Sequence, residues 1–259
     1  MQSAPTEDEL AIARTALACL DLTSLNDADT EREVARLCKR AQGPHGNVAA
    51  VCVWPRFAAF ARRQLPAGIA VAAVANFPDG GSDVDAALAD VRQIVDAGAD
   101  EVDLVLPWRA LLAGDERSAS ELLSAVRKAC ARLRLKVILE TGELPDETSI
   151  RGAARLALEA GADFLKTSTG KRAVGATPAA ARVLLQAVDD NAAARGRVGF
   201  KAAGGVRTLA DAAVYIALVR GAWGDAAVAP ARFRIGASGL LDQIEAFLGG
   251  RAAPVAATY

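Results

Sequence analysis

AGADEVDLVLP at 97–107 and AGADFLKTSTGK at 160–171 open on the same four residues. In each, a glycine closes a helical stretch and an apolar run begins at once, the signature of a helix feeding a buried strand. The alternation recurs along the whole chain. Strands are expected at Ala16–Leu22, Val48–Val53, Ile69–Val74, Glu101–Leu106, Leu135–Leu139, Asp163–Thr167, Val198–Ala202 and Phe233–Ala237. Helical stretches separate them, with start signals at Asp29-Thr30, Pro55, Ser82, Pro178 and Thr208. Strands that are almost wholly apolar between helices belong to a parallel sheet covered on both faces. Eight such units in one chain of domain length predict an α/β fold, a single (β/α)8 TIM barrel. A short extra helix is expected at 7–14, before the first strand. The barrel is expected over 1–250, and the small, proline-containing tail 251–259 is expected to be mobile.

Composition narrows the function. The chain has 259 residues, 52% of them hydrophobic and 5% aromatic, with a net charge of −1. That balance argues against a nucleic-acid surface. No apolar run has the length of a membrane span, and no signal-peptide pattern opens the chain, so a cytoplasmic protein is expected. Cys19, Cys38, Cys52 and Cys130 show no metal or disulfide spacing and read as free thiols. One histidine, His45, lies in a loop-like stretch and is given no role; a zinc site needs more. No metal is expected. Gly80-Gly81 lacks the dinucleotide fingerprint. Leu165 stands where a P-loop before Gly170-Lys171 would need glycine, so no nucleotide cofactor is expected either.

Side chains alternate along a strand. Val102, Leu104 and Leu106 suit the helix-facing side, which turns Asp103 inward. Leu165 and Phe200 likewise turn Lys166 and Lys201 inward. Two lysines one βα repeat apart belong on neighbouring strands, where like charge and desolvation both favour the neutral amine. At about 6 Å and an effective dielectric near 20, the repulsion is about 3 kcal/mol, or roughly two pKa units. A neutral lysine can form an imine with a carbonyl, while Asp103 holds the other lysine charged. A structural Asp–Lys pair is the competing reading.

The loops after strands seven and eight, Gly204-Gly205-Val206-Arg207 and Gly236-Ala237-Ser238-Gly239, stand where barrels often bind phosphate at a helix start. Gly204, Gly205, Arg207, Gly236 and Ser238 are therefore expected at a phosphate, with Gly170 and Lys171 from the loop after strand six. Asp21 and Thr23, ending the first strand, are candidates for substrate hydroxyl contacts.

The motifs LDLTSLN (20–26), VCVWPRF (51–57), NFPDG (76–80), GADEVDLVLPWRAL (98–111), KVILETGEL (136–144), GADFLKTSTGK (161–171) and GFKAAGGVRT (199–208) run nearly end to end. Together they resemble class I deoxyribose-phosphate aldolases. The resemblance implies a Schiff base on Lys166, a perturbing and assisting Lys201, and Asp103 in proton relay. It implies metal-free, cofactor-free cleavage of 2-deoxy-D-ribose 5-phosphate to acetaldehyde and glyceraldehyde 3-phosphate. The expected partners are thus a phosphosugar and acetaldehyde, and the expected assembly a homodimer. Ala202, Ile235 and Gly239 depart from the family pattern, which more often has proline, phenylalanine and a second serine. Another Schiff-base lyase or transaldolase-like barrel, and a non-catalytic phosphosugar-binding barrel, are the alternative readings.

Overall fold

The computed structural model describes residues 5–251, so of the tail only Arg251 falls within it. Eight parallel strands close into a barrel. In chain order they are β1 (Leu20–Thr23), β2 (Ala50–Val53), β3 (Ala70–Ala75), β4 (Glu101–Val105), β5 (Arg134–Ile138), β6 (Phe164–Lys166), β7 (Gly199–Ala203) and β8 (Phe233–Ala237). Each pairs with the next, and β1 pairs with β8 to complete the ring. A closed ring leaves no unpaired edge. The expected TIM barrel is therefore the observed fold.

Helices fill every crossover, and their starts are chemically marked. Thr6 with Glu9, Thr30 with Glu33, and Thr208 with Asp211 form capping boxes at the starts of Glu7–Ala18, Glu31–Arg40 and Leu209–Trp223. Pro55 and Pro178 occupy first-turn positions of their helices. Two expectations need correction. The first helix runs on to Ala18, so residues 16–18 are helical and β1 begins only at Leu20. Ala13, Ala16 and Leu17 are buried at helical spacing, and that packing outweighs the apolar run's strand-like look. The helix Val84–Asp96 is capped by Asp83, whose carboxylate accepts from the Ala86 N–H, and not by Ser82.

The strand alternation sorts two kinds of core. Val51, Val71, Val102, Leu104, Leu135, Val137, Leu165, Phe200, Phe233 and Ile235 point outward and are buried against the helices. The inward positions are unlike an ordinary barrel interior, which is packed with branched aliphatics. On the β1–β3 side, Cys52, Ala72 and Val74 form a small apolar cluster with Leu25, joined by the half-buried Trp54 and Phe77. Other inward positions carry Asp21, Glu101, Asp103, Lys136, Lys166, Lys201 and Arg234, all buried. Long side chains need room. A Cβ on Gly199 would lie 2.4 Å from the Phe164 ring, and one on Gly236 would lie 3.0 Å from Cε of Lys201.

Candidate active site

Lys166 ends β6 and Lys201 lies on β7, and the two are directly paired in register. Just past them, the Thr167 hydroxyl donates to the Ala203 carbonyl and accepts from the Ala203 N–H, both at 3.0 Å, which ties the two strand ends together. Asp103 on β4 projects into the same space. Its Oδ2 accepts from Lys166 Nζ and from Lys201 Nζ, each at 2.7 Å, and its Oδ1 accepts from Lys136 Nζ at 2.8 Å. The structure thus brings together the three inward charges expected from the sequence.

It also adds four that sequence parity was not used to find. Asp21 reaches Lys201 Nζ at 2.5 Å, Lys136 Nζ at 3.3 Å and Arg234 Nη1 at 2.6 Å. Glu101 accepts from Lys136 at 2.5 Å and from Arg234 Nη2 at 2.8 Å. Asp21 is fully buried, and its carboxylate is held by Lys201, Lys136 and Arg234. Thr23 donates its hydroxyl to the Asp21 carbonyl at 2.9 Å.

The two lysines are electrostatically unequal. Burial opposes the Lys201 ammonium, but Asp103 and Asp21 outweigh it and hold its pKa above that of an ordinary lysine. Lys166 has only a shared oxygen of Asp103. Burial, assisted by the charge on Lys201, moves its pKa below the ordinary value against the pull of Asp103. Burial also opposes the charges on Asp103 and Asp21, yet the surrounding lysines, with Arg234 at Asp21, keep both carboxyls well below the usual carboxylate range. Cys52, with Sγ 3.9 Å from Asp103 Oδ2, is pushed upward by burial and stays a thiol. Among the described residues, no group of three or more His, Cys, Asp or Glu side chains is placed to hold a metal ion.

The expected phosphate residues lie at the C-terminal ends of β6, β7 and β8, the barrel face on which such enzymes act. Gly170 and Gly204 pack backbone to backbone: a Cβ on Gly204 would sit 3.2 Å from the Gly170 Cα and 3.0 Å from that of Gly175. The Ala176 N–H donates to the Gly204 carbonyl at 2.9 Å, so the loops after β6 and β7 are locked together. Gly205, Lys171, Arg207 and Ser238 are exposed at this face. Gly236 is half-buried and faces the Lys201 stem.

An interior lined with paired charges sets the chain apart from barrels packed with aliphatics for stability alone. The chain belongs to the DeoC/LacD family of aldolases, whose sequence profile matches residues 15–242. It is 47% identical over 251 residues to a deoxyribose-phosphate aldolase of Agrobacterium fabrum, covering 95% of this chain and 96% of that one. A crystal structure from Toxoplasma gondii ME49, designated a deoxyribose-phosphate aldolase, superposes with a TM-score of 0.86 at 29% identity, over 96% of this chain and 100% of its own. The tetrameric deoxyribose phosphate aldolase of Aeropyrum pernix shares the fold, with a TM-score of 0.72 at 24% identity over 94% of this chain and 99% of its own.

Proposed function

We propose that this chain reversibly cleaves 2-deoxy-D-ribose 5-phosphate to D-glyceraldehyde 3-phosphate and acetaldehyde through a Schiff base, without a metal. One observation carries the reading: two lysines share a single carboxylate oxygen, and of the two only Lys201 also reaches a second carboxylate, Asp21. That asymmetry favours an uncharged Lys166, and a neutral amine is what attacks an aldehyde.

In this mechanism, Lys166 adds to the C1 aldehyde of the open-chain sugar and water leaves, giving an iminium. The bond between C2 and C3 then breaks. Its electrons pass to the nitrogen and form an enamine, while the C3 hydroxyl loses its proton and becomes the aldehyde of glyceraldehyde 3-phosphate. Asp103 conducts a proton back to the enamine carbon, and hydrolysis of the resulting imine frees acetaldehyde and Lys166. The apolar wall of Cys52, Ala72 and Val74, opposite the lysines, suits the two-carbon fragment.

Gly170, Lys171, Gly204, Gly205, Arg207, Gly236 and Ser238 serve the phosphate end, through backbone N–H groups, helix starts and two surface cations. The aldolase unit spans residues 1–250 and acts as a homodimer in the cytoplasm, in deoxyribonucleotide catabolism. No helix among the described residues is long and apolar enough to cross a membrane, which is consistent with that location.

The test is retro-aldol turnover of 2-deoxyribose 5-phosphate with and without a chelator, together with borohydride trapping of acetaldehyde. Turnover should survive the chelator, and an ethyl group should appear on Lys166. Trapping that persists undiminished in Lys166→Ala would overturn the assignment.

A further inference from the structure

Glu140, in the loop after β5, has no part in the mechanism above. Its backbone φ is +52°, a left-handed conformation that residues other than glycine seldom adopt. Such strain persists only where the surroundings impose it. Here they do. The side chain is fully buried. Its Oε1 accepts the Thr169 N–H at 3.1 Å, and its Oε2 accepts the Thr169 hydroxyl at 2.6 Å. Thr169 Oγ1 accepts in turn from the Lys171 N–H at 3.0 Å.

A hydroxyl offers one proton and two lone pairs. At Thr169 the proton is committed to Glu140 and one lone pair to Lys171, which leaves a single lone pair. Thr169 can therefore meet a further partner only as an acceptor. It stands in the chain between Lys166 and the Gly170–Lys171 corner. On the aldolase reading, a sugar phosphate joined to Lys166 at C1 and held by its phosphate beyond Gly170 lies along this loop, with its hydroxyls between the two ends. The chain neighbours of the pair point the same way: Thr141 Oγ1 and Ser168 Oγ are buried hydroxyls without a hydrogen-bond partner within the protein, among the described residues.

We propose that Glu140 is a positioning residue that fixes the polarity of the Thr169 hydroxyl, making it the acceptor for a substrate hydroxyl between the imine carbon and the phosphate. The inference rests on the aldolase reading above. A substrate hydroxyl that donates to Thr169 is polarised toward losing its proton, as cleavage of the carbon–carbon bond requires. Burial raises the pKa of the Glu140 carboxyl, while both of its oxygens accept from Thr169; in its ionised form it is acceptor-only and suits this role. A glutamine cannot reproduce it: Oε1 would keep the Thr169 N–H, but Nε2 would donate to Oγ1 and turn the threonine proton outward, towards the substrate.

The experiment compares the full-length parent, Glu140→Gln, Thr169→Val, Thr169→Ser and the Glu140→Gln/Thr169→Val double variant in two reactions. One is retro-aldol cleavage of 2-deoxyribose 5-phosphate. The other is exchange of acetaldehyde methyl protons with D2O, which needs Lys166 and Asp103 but no sugar hydroxyl. Glu140→Gln should lower kcat for cleavage about tenfold or more, the scale of one hydrogen bond to a charged group, with exchange within about twofold of the parent. Thr169→Ser should retain cleavage, and the double variant should lose no more than Thr169→Val alone, because the two residues act in series. Unchanged cleavage in Glu140→Gln, exchange falling in step with cleavage, or additive losses in the double variant would each overturn the proposal. A parent that exchanges methyl protons but does not cleave the sugar phosphate would overturn the aldolase reading itself, and this inference with it.

Discussion

Lys166 and Lys201 donate to the same atom, Oδ2 of Asp103, at the same distance of 2.7 Å. Neither amine can change its charge without altering how strongly that oxygen holds the other. Lys201 has Asp21 in reserve, so the burden of the change falls on Lys166.

Lys201→Leu tests that balance. It removes a positive neighbour that lowers the Lys166 pKa and leaves Asp103 freer to stabilise the Lys166 ammonium. Both effects favour the charged form. The acidic limb of the rate profile should therefore move to higher pH, by about one to three units for a charge at this range. Turnover at neutral pH should fall by about 10²-fold or more. A pH–rate series settles it, and an unshifted limb counts against the electrostatic role.

Asp21 is expected to matter for stability as well as for the site, since it faces Lys201, Lys136 and Arg234 with no access to water. Removing one partner from a buried ionic cluster costs about 3–5 kcal/mol. Asp21→Asn should lose about that much in urea unfolding at neutral pH.

Asp21, Glu101 and Asp103 all have folded-state pKa values below their ordinary ones: burial opposes this, but the cations around them prevail. For such groups the unfolded chain binds more protons, so stability is present above the ordinary carboxylate range and is lost as pH falls through and below it. The parent's urea midpoint should drop steeply below about pH 4, the ordinary range of these carboxyls. A midpoint that stays flat down to about pH 3 would contradict the coupling.

Much of this was legible from the sequence, through one periodicity. The apolar residues Val102, Leu104, Leu165 and Phe200 assign their neighbours to the interior, and Asp103, Lys166 and Lys201 follow. The same parity applied to LKVIL would have turned Lys136 inward with Ile138, and applied to EVD and FRIG it would have turned Glu101 and Arg234 inward. Which charges then meet is a different matter. Asp21 and Lys201 are 180 positions apart in the chain and touch only because β1 closes against β8. Local patterning does not say which side chains the closure brings together, and so the cations around Asp21 were not legible. The pairing of Gly170 with Gly204 was hidden for the same reason, since it depends on how two separate loops fold over one another.

Gly205 distinguishes anchoring from chemistry. It is exposed at the C-terminal face with φ of +84°, so any side chain there is strained. Gly205→Ala carries that strain without charge, and Gly205→Glu adds a negative group beside the expected phosphate. Relative to Gly205→Ala, Gly205→Glu should raise KM for 2-deoxyribose 5-phosphate about tenfold or more, while turnover of unphosphorylated 2-deoxyribose stays within about twofold. Equal losses on both substrates would assign the loop to the fold.

Gly199→Ala should report on the floor of the barrel. Its Cβ would come within 2.4 Å of Phe164 and 2.7 Å of the Arg232 carbonyl, and the backbone atom cannot move aside cheaply. Overpacking of this kind costs about 1–3 kcal/mol. The loss should appear in thermal or urea unfolding, and an unchanged midpoint would mean that the strand can shift.

The charged interior has an arithmetic of its own. Lys136, Lys201 and Arg234 bring three positive charges, and Asp21, Glu101 and Asp103 bring three negative ones. These six buried groups balance with Lys166 left out of the count; Arg134, which also meets Glu101 at 2.6 Å, is partly exposed to solvent and is not among them. The compartment carries an excess charge whenever Lys166 is an ammonium, and again whenever the iminium forms, and in each case the excess can be shed only as a proton or by breaking a bond. Resting amine and enamine are both balanced states of the barrel, and turnover on the proposed mechanism passes between them through a charged iminium that the six paired groups leave uncompensated.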